Sequence, residues 1–127
     1  MTTPLRLAPL LVCLALALFD PSVSAHHAFN AEYDEEDRVT LRGTVTELQW
    51  ANPHGRIVLA VRGADGASAN WDIELGTPAM LSSRGVRTDD VRIGAQVSID
   101  GYRARNKATT AAARILTLSD GTELFVR

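Results

Sequence analysis

The sequence has a single cysteine, Cys13, and few aromatic residues, 6% of 127. Neither charge sign dominates: 22% of residues are charged and the formal net charge is −2. Its longest run without a charge is the 13 residues from Leu7 to Phe19. Each shortage excludes something. A near-neutral, slightly acidic chain is a poor match for the phosphate backbone, so nucleic acid is not an expected partner. Thirteen residues of helix span about 20 Å, short of a hydrocarbon core of roughly 30 Å, so the run is not a membrane span. There is no phosphate loop, no HExxH and no GxSxG, which removes the commonest sequence signs of phosphate binding, zinc hydrolysis and serine hydrolysis.

The apolar run is instead the middle of a three-part secretory leader. Arg6 precedes it, Asp20-Pro21 breaks it, and Val23-Ser24-Ala25 supplies small residues for a peptidase. Residues 1–25 are therefore expected to be removed on export, leaving a mature chain in the periplasm or the medium. Cys13 sits between Val12 and Leu14 inside the run, not at its end as a lipid-modified cysteine would, and leaves with the leader. The remaining 102 residues then have no disulfide, no thiolate ligand and no cysteine chemistry. That length allows one domain.

Residues 26–37 read as an N-terminal arm, with Asp34 to Asp37 as a solvated acidic turn. From 38 to 127 the alternation is that of strands. Val39, Leu41, Gly43 and Val45 hold one phase, but Leu48 and Trp50 hold the other, which predicts a β-bulge between them and a bent strand from Val39 to Trp50. Ala51 to Gly55 is a turn, Ile57, Leu59 and Val61 mark a second strand, and Asp65-Gly66 a hairpin. Trp71, Ile73 and Leu75 mark a third strand, with Asp72 and Glu74 on its solvated face. Thr77, Pro78 and Gly85 bracket one short helix. Two more strands follow, Val97 to Arg105 and Ala111 to Leu118, then a short tail strand from Glu123 to Val126. Three strands, a helix and two strands is the order of a five-stranded OB-like Greek-key barrel, an all-β fold with one short helix.

The mature chain has three histidines, His26, His27 and His54. Cleavage after Ala25 gives His26 a free amine, which can chelate one ion together with its imidazole; both groups deprotonate readily on a metal near neutrality. A nitrogen-rich site without thiolates suits Cu(II), ahead of Zn(II) or Ni(II). The arrangement resembles the histidine brace of copper proteins, with His54 as the distant ligand and His27 as an alternative. Cleavage after Ser24 would instead place His26 at position two and His27 at position three, a Cu(II) site that needs no fold. The plain alternative is that His26 and His27 are exposed residues and His54 a turn residue. Arg103, Arg105 and Arg114, with Lys107, form a basic patch around the loop between the fourth and fifth strands, where an anionic envelope component or a partner protein could bind. Trp50 and Trp71 occupy apolar-phase positions and are expected in the core.

Several strings carry a family resemblance: His26-His27-Ala28-Phe29, Ala31 to Asp34, Val39 to Val45, Trp50-Ala51-Asn52-Pro53-His54, Trp71 to Gly76, Gly101 to Ala104, and Leu118 to Gly121. Together they resemble a family of small exported bacterial proteins, catalogued as domain of unknown function 6152. The chain departs from the pattern at Ala28, where serine is common, and at Gly55, where a bulkier residue often stands. The resemblance implies a secreted, mostly-β domain and brings no activity; its motif histidines fall on His26, His27 and His54. The sequence thus points to an exported binding protein rather than an enzyme, taking a metal ion or a small anion. An oxidative copper enzyme would need an open coordination position and a substrate surface, and the sequence marks neither.

Overall fold

The computed structural model describes residues 28–127. Residues 28–32 are helical, and all strands belong to one compact unit, Ala31–Arg127. The strands are β1 (Tyr33–Gln49), β2 (Arg56–Arg62), β3 (Ser68–Glu74), β4 (Gln96–Ala104), β5 (Thr110–Leu118) and β6 (Glu123–Phe125). A short helix, Pro78–Ser83, and a 3-10 turn, Thr88–Val91, lie between β3 and β4. The all-β class expected from the sequence holds, with the helix at the expected place in the order.

The long first strand organises the sheet. Its first part pairs antiparallel with β4, from Tyr33 opposite Ala104 to Thr44 opposite Gln96. Its second part pairs antiparallel with β2, from Gly43 opposite Val61 to Gln49 opposite Arg56. β2 continues to β3, β4 to β5, and β3 meets β5 in a short parallel ladder, Asp72–Glu74 against Thr110–Ala112. The pairings therefore run in a ring, β1-β2-β3-β5-β4 and back to β1, with β6 added beyond β5.

One strand can serve two partners only if it bends, and the sequence supplies the means. Between Val45 and Glu47 the register against β2 slips by one residue, at Thr46. That bulge is where the apolar phase changes in the sequence, so Val45 stays buried and Leu48 still packs against the core. At Gly43, the crossing point, a Cβ would lie 2.5 Å from the Ala60 carbonyl oxygen. At Gly101 on β4, a Cβ would collide with the Ala112 carbonyl oxygen. Only glycine permits both close approaches.

The core is aliphatic: Val45, Ile57, Leu59, Ile73, Ile99 and Leu116 are all fully buried. Leu81 of the helix joins them. The helix is held at its start by Thr77, whose hydroxyl accepts from the Met80 amide at 3.2 Å, and by Pro78 in its first turn. Trp50 and Trp71 pack against this core from partly buried positions.

Two expectations fail. The acidic run is not a turn: Asp34–Asp37 lie within β1, which starts at Tyr33 rather than Val39. Between Tyr33 and Arg38 the strand holds more residues than β4 opposes, so alternation is lost there and a sequence pattern cannot show a strand. Nor is Glu74 on a solvated face; it is 6% exposed. Neighbouring groups that sequence alternation does not register cover it.

Candidate functional site

The covered carboxylate is the centre of the site. The β2–β3 hairpin sets Arg56 directly opposite Glu74. Tyr33, at the start of β1, brings its hydroxyl to Glu74, donating to Oε2 at 3.1 Å. Arg127 follows β6 and donates from Nη2 to Glu74 Oε1. The turn before β2, which contains a cis Asn52-Pro53 bond, presents His54, whose Nδ1 lies 3.4 Å from Glu74 Oε1. Arg56 Nη1 stands 3.7 Å from Oε2.

Arg56 is itself clamped. Its Nε and Nη2 donate to the two oxygens of Asp72 at 3.1 and 2.6 Å, a bidentate fork that fixes the guanidinium plane. That hydrogen bonding is the main reason its pKa rises above the ordinary arginine value. The Tyr33 phenol is held far above its usual range, first by burial and then by the negative charge of Glu74. It therefore remains a donor throughout the physiological range. Two guanidiniums and a phenol offset the cost of taking the Glu74 charge out of water.

Of the groups set around Glu74 itself, His54 reaches solvent most: its side chain is 40% exposed, against 34% for Arg56 and 24% for Arg127. A carboxylate facing Nδ1 fixes an imidazole's orientation and leaves Nε2 to meet a ligand. His26 and His27 lie outside the described residues. Among the described residues no group of three or more His, Cys, Asp or Glu is arranged to hold a metal ion.

The basic loop between β4 and β5 is engaged by groups of its own chain. Arg103 lies over the Trp71 ring, 5.3 Å from its centroid, and donates to the carbonyls of Lys107 and Ala108 at 2.7 and 3.3 Å. It braces the loop between β4 and β5. Arg105 stands 3.9 Å from Asp34, and Lys107 lies 2.7 Å from Asp37 and 3.8 Å from Asp34. The acidic run thus neutralises the basic loop. Arg114 is the extra residue of a second bulge, where β5 slips against β4 between Asp100 and Gly101; the structure gives it no partnership with Arg103 or Arg105.

Sequence reasoning missed Tyr33, Arg56 and Arg127 as members of the site. Arg56 was within reach of it: a hairpin turning at Asp65-Gly66 sets residues 56 and 74 opposite each other. Tyr33 and Arg127 arrive from opposite ends of the described chain, and no local pattern marks them.

No curated protein matches the chain significantly. A family model does, over residues 12–113, a span that contains His54, Tyr33, Arg56 and Glu74. The chain belongs to that family, described as a family of unknown function, DUF6152.

Proposed function

We propose that the protein is an exported, periplasmic ligand-binding protein that takes Cu(II), with the amine and imidazole of a mature N-terminal His26 and the Nε2 of His54 as ligands and His27 as an alternative to either. One observation carries the reading. His54 is half-exposed with its Nδ1 facing a buried carboxylate that three other side chains hold in place. That is how ligating histidines are commonly oriented. The secretory leader read in the sequence supports the compartment and the free amine.

The test is Cu(II) titration of protein cleaved before His26, its mature mass checked first, followed by electron paramagnetic resonance. Adding one residue before His26, or replacing His54 by alanine, is expected to weaken binding and change the spectrum. Glu74→Gln is expected to weaken it by about 10–100-fold, as loss of an orienting partner does. If the extension and His54→Ala both leave affinity unchanged, the reading is wrong.

A further inference from the structure

A second polar region lies on the outer face of the sheet. The ladders set Arg42 opposite Ser98, Ser98 opposite Thr117, and Thr44 opposite Gln96. Opposed residues share a face. Val97, Ile99 and Leu116, next to them in sequence, are buried, so this row points away from the core. On β2, Val61 faces Gly43, which sets Arg62 beside Arg42. All six side chains line one open cavity of about 680 Å³, a size suited to a small molecule.

The charges of this cavity are unanswered. Among the described residues, neither Arg42 nor Arg62 has a side-chain hydrogen bond or an ion pair. Among the described residues no Asp or Glu lines the cavity, and no aromatic ring does. Two like charges on adjacent strands repel, which is unfavourable unless an anion joins them. The guanidinium fork matches the planar carboxylate and the phosphoryl group alike. Ser98, Thr117 and Gln96 add hydroxyl and amide groups that can donate or accept. Lack of a ring to stack on argues against a neutral sugar or a base.

We infer that this cavity binds a small oxyanion, a carboxylate- or phosphoryl-bearing molecule, gripped by Arg42 and Arg62 and oriented by Ser98, Thr117 and Gln96. This site is separate from His54 and from the loop arginines Arg103 and Arg105.

Backbone amide shifts in nuclear magnetic resonance test it, with citrate, pyrophosphate and neutral glucose as probes. Citrate or pyrophosphate should give saturable shifts centred on Arg42, Gly43, Ser98 and Thr117, and glucose none; the anion that saturates first identifies the preferred group. Arg42→Ala and Arg62→Ala should each weaken binding by about tenfold or more, the loss expected for a charge-assisted hydrogen bond. Arg103→Ala should leave binding unchanged. Raising salt should weaken it, because an open site is screened. The amide spectra of the variants show directly whether they fold. Absence of saturable shifts with either anion, equal binding of glucose, or full affinity in both arginine variants overturns the proposal. Cu(II) affinity should be the same in Arg42→Ala, so this proposal and the copper reading fail independently.

Discussion

Two polar regions of this sheet answer their charges in opposite ways. Around Glu74 the protein itself supplies the counter-groups: Tyr33, Arg56, Arg127 and His54 all turn to one carboxylate. In the cavity at Arg42 and Arg62, guanidiniums and hydroxyls stand together with no carboxylate among the described lining residues. The first arrangement answers its carboxylate without a ligand and contributes to holding the fold. The second is complete only with one. A polar cluster's role can thus be read from what it leaves unmet, more than from which residue types it contains.

Substitutions can break this contrast. The largest effect is expected from Glu74→Ala, which leaves two guanidiniums and a phenol facing each other. It should cost about 2–4 kcal/mol in urea unfolding, less than a fully buried pair because both arginines are partly exposed. A loss below about 1 kcal/mol would mean the cluster does not hold the fold.

Tyr33→Phe should cost about 1–1.5 kcal/mol at neutral pH, one hydrogen bond to a charged acceptor. Its signature is in alkali. The folded phenol has a raised pKa, whereas the unfolded one ionises near 10.0. This tyrosine's contribution is therefore full below pH 10 and is lost as pH rises beyond it, because only the unfolded chain releases the proton. Stability curves of wild type and Tyr33→Phe should converge above pH 10; parallel curves would contradict the buried donor.

His54→Ala should change thermal stability little, by less than about 1 kcal/mol, since the histidine is half-exposed and Glu74 keeps its other partners. Smallest of all is Arg42→Ala or Arg62→Ala without ligand, within about 0.5 kcal/mol of wild type, and a slight gain is expected from relieved repulsion. A clear loss in either would make the cavity part of the scaffold and blur the contrast.

The sequence made the scaffold legible and left the site half hidden, for physical reasons. Strand periodicity is local, so the slip of phase after Val45 announced the bulge at Thr46, and Thr77-Pro78 announced the helix. The start of β1 escaped because irregular pairing between Tyr33 and Arg38 erases alternation. Composition drew attention to the basic loop at Arg103, Arg105 and Lys107. It could not show that Asp34 and Asp37, about 70 residues earlier, lie against it. Glu74 looked solvated because its alternation is that of an outward residue; tertiary partners from distant segments cover it. Arg42 and Arg62 looked like ordinary strand surface, since their lack of partners among the described residues is visible only once those residues' positions are known.

The parallel ladder between β3 and β5 also has a consequence for the order of events in folding. It joins Asp72 to Thr110, 38 residues apart in sequence, with the helix, the 3-10 turn and β4 in the intervening loop. The β1-β2-β3 meander can form from near neighbours, whereas this last ladder must wait for a costly loop closure. Arg127 reaches Glu74 only from beyond β5 and β6. Until then the carboxylate at the end of β3 keeps its water. Dehydration of Glu74 is therefore a late event, and protection of the Asp72 amide, which donates to the Thr109 carbonyl, should appear with that of Thr110–Ala112, after the first hairpin is already protected.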